Sequence, residues 1–151
     1  MSTITYPVGA RTALTTTAMN SLASATYVSC GTITLNTDKP YDCLLEVTVS
    51  PGTVASEKQC YVFAKRSVDG TNFETGPESG TTATDEPNLT PIGAVPCNTS
   101  SVAQTGIFSL RAAFGGALPH SARIVVLNQT GAALAASGHS VHYSAVVPVV
   151  A

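Results

Sequence analysis

The stretch Gln59-Cys-Tyr-Val-Phe-Ala-Lys-Arg-Ser-Val-Asp-Gly-Thr-Asn-Phe73 decides the fold class. On an extended chain Cys60, Val62 and Ala64 fall on one side, and Tyr61, Phe63 and Lys65 on the other. That is a half-buried β-strand, and Asp69-Gly70 supplies the φ > 0 position of the tight turn that ends it. Tyr61 and Phe63, on the side away from the core, are either a lid over loop residues or an exposed contact stripe. Both readings stand open at this level. The stretch holds no nucleophile paired with a base, no metal cluster and no phosphate loop.

Working outward, the same period-2 pattern recurs. Tyr27–Leu35 alternates apolar residues with Ser and Thr, and Cys43, Leu45, Val47 and Val49 share one face of a second run. Ser50-Pro-Gly-Thr53 predicts that this run returns directly into Gln59–Val68 as a hairpin. Leu89–Val95, broken by Pro91, suits an edge strand. Ile107–Phe114 reads as a strand ended by Gly115-Gly116, with Phe108, Leu110, Ala112 and Phe114 on one face. Arg123–Asn128 carries the unbroken Ile-Val-Val-Leu of a central strand covered on both faces. Ala132–Ala136 reads as a helical turn or two between Gly131 and Gly138, and Val141–Val147 alternates again. The expected fold is all-β: a single-domain antiparallel β-sandwich of about seven to eight strands, jelly-roll or Ig-like, over residues 26–151. Residues 1–25, small and polar without a clean period, are expected to form an extended N-terminal arm, either poorly ordered or ordered only against a neighbour.

Composition narrows the function classes. Charged residues are 11% of the 151, well below the roughly 25% of ordinary domains, and Ser and Thr together make up about a quarter. The net charge is −2 and Lys65-Arg66 is the one adjacent basic pair, so nucleic acid is not an expected partner. No apolar run reaches the ~18 residues of a membrane span. The first ten residues lack the basic and apolar regions of a signal peptide, so synthesis and retention in the cytosol are expected. On that expectation Cys30, Cys43, Cys60 and Cys97 read as small unpaired hydrophobes. With the hairpin closed around Pro51–Ser56, Cys60 would stand opposite residue 47 or 48 rather than Cys43.

Catalytic patterns fail one by one. There is no G-x-S-x-G elbow and no glycine-rich phosphate cradle. His139 and His142 fall on opposite faces of a strand, and His120 opens a loop. The segment Thr71–Pro87, with Glu74, Glu78, Asp85 and Glu86 beside Asp69, reads as a Ca²⁺ loop or a solvated acidic loop. The missing D-x-D-x-D-G spacing favours the second. Asp85-Glu86 cannot flank a glycosidic bond from two sides. The expectation is a non-enzyme with no cofactor, no metal and no small-molecule substrate.

Three segments in order carry a resemblance: Asn20-Ser-Leu-Ala-Ser24 with Tyr27-Val-Ser29, Pro51-Gly-Thr-Val-Ala-Ser56 through Ser67-Val-Asp-Gly70, and Ala113-Phe-Gly-Gly-Ala-Leu-Pro119 through Gly131-Ala-Ala-Leu-Ala-Ala-Ser-Gly138. Together they resemble small structural proteins encoded beside the capsid and tail genes of tailed bacteriophages. The resemblance implies a virion component, foremost a capsid decoration (cement) protein. Its partners would be the major capsid protein and copies of itself, with a trimer the expected state. Alternatives are a neck, tail or baseplate component, or a host-attachment carbohydrate-binding module; the chain has no Trp to serve as a sugar platform. Tyr6, Arg11, Tyr61, Phe63 and Phe73 are the candidate partner-contact residues.

Overall fold

A computed structural model describes residues 2–54 and 58–151. Two antiparallel sheets face each other across one apolar core. The strands in chain order are β1 (Ile4–Thr5), β2 (Thr12–Thr15), β3 (Tyr27–Thr34), β4 (Asp42–Val49), β5 (Gln59–Ser67), β6 (Ser79–Gly80), β7 (Thr90–Pro96), β8 (Gln104–Ser109), β9 (Ser121–Gln129), β10 (Ser140–Val146) and β11 (Val149–Val150). One sheet runs β2-β10-β4-β8, the other β6-β3-β9-β5-β7, and β1 with β11 forms a separate two-stranded ribbon. The expected all-β sandwich is the observed architecture. Among the described residues no helix is long and apolar enough to cross a membrane.

Alternation places the core. Cys43, Leu45, Val47 and Val49 of β4 face Cys60, Val62 and Ala64 of β5, with Ile124 and Val126 of β9 beside them, all buried. β9 is central and covered on both sides, since Val125 and Leu127 join a second buried cluster with Tyr27, Phe63 and Leu89. β7 is the expected edge strand, paired only with β5 and bulged opposite Val62/Phe63. With Pro91 near the bulge, the missing N–H falls where the pairing is already irregular.

Four expectations are corrected. β4 and β5 are not a hairpin: β4 pairs with β10 and β8, and β5 with β9 and β7. Both strands offer one apolar face, and burying those faces against each other places them in opposite sheets. Pro51 crosses between them, bridged to Leu134; residues 55–57 of the expected turn lie outside the described residues. The run 107–114 stops being a strand at Ser109, whose hydroxyl accepts from Ala112 N–H and caps a short helix, α1 (Leu110–Ala113). Residues 132–136 are not helical: Leu134 forms a β-bridge with Pro51, and Leu134 and Ala135 donate their N–H groups to Leu22 and Ser50 carbonyls.

The fourth correction concerns residues 1–25. They do not stand off as an arm. Thr12–Thr15 adds to β10 as an edge strand, and Met19 is fully buried in the core. Ser21 N–H donates to Ala135 O at 2.9 Å, and Leu22 O accepts from Leu134 N–H. Isolated apolar residues such as Leu14, Met19 and Leu22 have no period to read, so only tertiary contacts reveal their burial.

Candidate partner-binding surface

The acidic segment after Asp69 folds back over the outer face of the five-stranded sheet. Asp69 starts it by accepting from Thr71 N–H and Asn72 N–H, both at 2.8 Å, and these bonds with those from Asn72 and Ser67 side chains hold its carboxyl well below the usual range. Glu74 takes Arg66 Nη2 at 2.6 Å, and Glu78 pairs with Lys65 and, at 2.9 Å, with Arg123 Nη1. Tyr27 donates its hydroxyl to Glu86, and burial together with that bond pushes the phenol up to about 12. The carboxylates of Asp69, Glu74, Glu78 and Glu86 are thus engaged as anchors, while Asp85 stays exposed. Among the described residues no group of three or more His, Cys, Asp or Glu side chains is placed to hold a metal.

What the segment covers settles the two open aromatics. Phe63 is 9% exposed, packed with Leu89, Val125 and Leu127. It is a core residue of the second cluster, which corrects its candidacy as a contact. Tyr61 remains exposed at the rim, its hydroxyl taking Gln59 Nε2 at 2.7 Å. Phe73 is half-buried beneath the Arg123 guanidinium, 4.1 Å above its ring, and borders a shallow groove with Phe114, Leu118 and Pro119.

Tyr6 and Arg11 lie elsewhere, beside the four-stranded sheet. Arg11 Nε and Nη2 reach Glu46 Oε1 at 3.1 and 2.5 Å. That hydrogen bond holds Glu46 below its ordinary value although burial opposes it. His142 Nδ1, 3.7 Å from the same oxygen, is buried without a hydrogen-bond partner. Its neighbour in sequence His139 is fixed differently: Ser50 N–H donates to Nδ1 at 3.1 Å, so Nε2 carries the proton toward Ala135 O. His120 contacts Ser121 Oγ at 2.9 Å.

Around Tyr6 the structure assembles residues that pattern reading did not single out. Ile4, Tyr6, Val8 and Val150 are each more than half exposed, with Val149 and Tyr41 close behind. β1 pairs with β11 through Ile4↔Val150 and Thr5↔Val149, and Val8 bridges Val146. Gly9 then donates to Ala145 O at 2.8 Å, an approach that a Cβ, 2.9 Å from that oxygen, would obstruct. The Tyr6 ring sits 4.7 Å from Tyr41, whose other neighbour is the Arg111 guanidinium at 4.0 Å. Two grooves flank this segment, one of about 360 Å³ lined by Pro7, Thr12, Tyr143 and Val149, the other of about 190 Å³ lined by Val8, Leu44, Ile107 and His142. The alternation Ile4-x-Tyr6-x-Val8 and Val147-x-Val149 was the available signal.

With Phe63 buried, the other four candidates divide between opposite outer faces. Tyr6 and Arg11 belong to the terminal segment, and Tyr61 and Phe73 to the far sheet. Comparison with known proteins finds no matching family, no matching curated protein and no matching solved structure.

Proposed function

We propose that this chain is a non-enzymatic virion structural protein, a decoration protein that binds the head lattice of a tailed phage as an oligomer. One observation carries the reading: an uncovered apolar strip of Ile4, Tyr6 and Val8, with Val150 paired opposite Ile4 and Tyr41 stacked against Tyr6. Isolated exposed apolar residues are ordinary, but a contiguous strip rimmed by polar groups marks a contact surface. Arg11, Glu46 and Arg111 supply that rim. The resemblance to phage structural proteins supplies the partner, and the low charge of the chain fits a subunit packed among others.

The test is co-sedimentation of the purified protein with undecorated capsids, followed by counting copies per particle. Binding on the order of hundreds per head, following lattice symmetry, supports the reading. Ile4→Asp with Val150→Asp should abolish it while leaving the melting temperature within about 2 °C, since both residues are exposed. Attachment at about a dozen copies at one vertex would instead indicate a neck or tail component. Binding to host glycans with none to capsids would indicate an attachment module.

A further inference from the structure

We propose that Cys60 and Cys97 form a latent disulfide site, a buried dithiol that a hydroperoxide oxidises within the folded protein, tying edge strand β7 to β5. The two Sγ atoms lie 3.9 Å apart and both residues are fully buried. Among the described thiols only these two are hydrogen-bonded to each other. The register explains why. Cys60 stands opposite Val95, and Cys97 follows two residues later, just past the end of β7. Cys97 N–H donates to Lys58 O at 3.0 Å, which keeps this residue beside β5.

A disulfide requires sulfurs about 2.05 Å apart, so side-chain rotation and a small backbone shift must close the gap. Cys97 can make that shift because it lies in the loop after β7 and holds no ladder position. Nor is either sulfur locked by a strong polar contact: Cys97 Sγ lies 3.6 Å from Val95 O, and Cys60 Sγ 3.9 Å from Asn128 Oδ1. The two thiols are also unequal. The hydrogen bond between them holds Cys97 down against burial, while that bond and then burial raise Cys60. Cys97, just past the end of β7, is the sulfur placed to move and attack.

The chemistry balances with one hydroperoxide. Cys97 thiolate attacks a peroxide oxygen, the O–O bond breaks, and the leaving oxygen departs protonated as water or alcohol. Cys97 is then a sulfenic acid. Cys60 sulfur displaces its hydroxyl, which leaves as water with the Cys60 proton, and the S–S bond forms. Two electrons pass from the sulfurs to the peroxide. Access comes by local opening at the end of β7, an edge strand paired with β5 that stops at Pro96 beside Cys97.

The test uses the intact reduced protein and hydrogen peroxide, followed by unfolding, alkylation of the chain's 4 cysteines and peptide mapping. Expected are loss of two alkylatable thiols, a mass lower by two hydrogen atoms, and one cross-linked peptide joining Cys60 to Cys97. The melting temperature should rise by about 10 °C and return on adding dithiothreitol. Cys30→Ala should leave the cross-link in place, and Cys97→Ala should remove it. A bond through Cys30 or Cys43, or addition of oxygen without a cross-link, would overturn the assignment. So would full retention of thiols under conditions that oxidise the same chain in urea. Mapping of the unaltered protein decides the matter even if a variant fails to fold, and capsid binding plays no part in it.

Discussion

The ring of Phe108 occupies the space where a side chain at residue 93 would begin. A Cβ on Gly93 would stand 2.4 Å from Phe108 Cε1, and a Cβ on Gly106 would stand 2.6 Å from its Cζ. The ring is thus wedged between the edge strands of both sheets, β7 and β8, and cannot turn from one glycine without closing on the other. Gly93→Ala should cost about 1–3 kcal/mol by overpacking. Urea unfolding measures it, and Phe108→Leu in the same chain should recover part of the loss. An unchanged midpoint for Gly93→Ala would show that the ring is free to move.

Truncation separates the two parts of the N-terminal segment. Removing residues 2–8 takes away exposed Ile4, Tyr6 and Val8 with the β1 ribbon pairing, the Val8–Val146 bridge and the Tyr6–Tyr41 contact but no fully buried side chain, so most of the stability should remain. Removing residues 2–20 also takes β2 and fully buried Met19, and Met19→Ala alone should cost about 2–5 kcal/mol. Thermal melts of both truncations check this. Equal melting temperatures would return the segment to the detached arm that its polarity suggests.

Glu78 anchors the acidic segment to Lys65, which is only 7% exposed. Glu78→Gln leaves that ammonium without its carboxylate. The cost should be roughly 2 kcal/mol, below the ~3–5 of a fully buried pair because Glu78 itself is partly solvated. Limited proteolysis should then cut within residues 71–87 before the rest of the chain. Resistance equal to the unaltered protein would mean that Leu89 and Phe63 hold the segment without the ion pairs.

EDTA should leave the melting temperature unchanged, because Glu74 and Glu78 are already engaged by Arg66, Lys65 and Arg123. A fall of about 5 °C or more on chelation would place a stabilising cation on the native state.

Acid should weaken the fold through carboxylates rather than thiols. Glu46 is held down chiefly by Arg11; Glu78 is pushed up by burial but held lower by Lys65 and Arg123. A depressed folded value means the stability is fully present above the ordinary glutamate value of about 4.3 and is lost as pH falls through the folded value. Melting temperature should therefore decline below about pH 4, and Glu46→Gln should make that decline shallower. Identical pH profiles for both proteins would remove the Arg11–Glu46 pair from acid sensitivity.

The sequence by itself determined the strands and their inward faces. Alternation in Cys43–Val49 and Gln59–Ser67, the unbroken apolar run of β9, and Pro91 at an edge are local patterns, and burial follows them directly. Partner choice was decided only in three dimensions. Nothing between Val49 and Gln59 distinguishes a hairpin from a crossing between sheets, because both bury the same faces. Ser109 ended a plausible strand because its hydroxyl found Ala112 N–H. The acidic segment read as a solvated loop until the tertiary fold placed Lys65, Arg66 and Arg123 against Glu74 and Glu78, and Phe63 stood between lid and contact stripe until Leu89 packed on it. Cys60 and Cys97, 37 residues apart in sequence, became neighbours through the β5–β7 register. Side-chain period belongs to the chain; which residues meet across strands and sheets belongs to the fold, since non-local contacts leave no period to read.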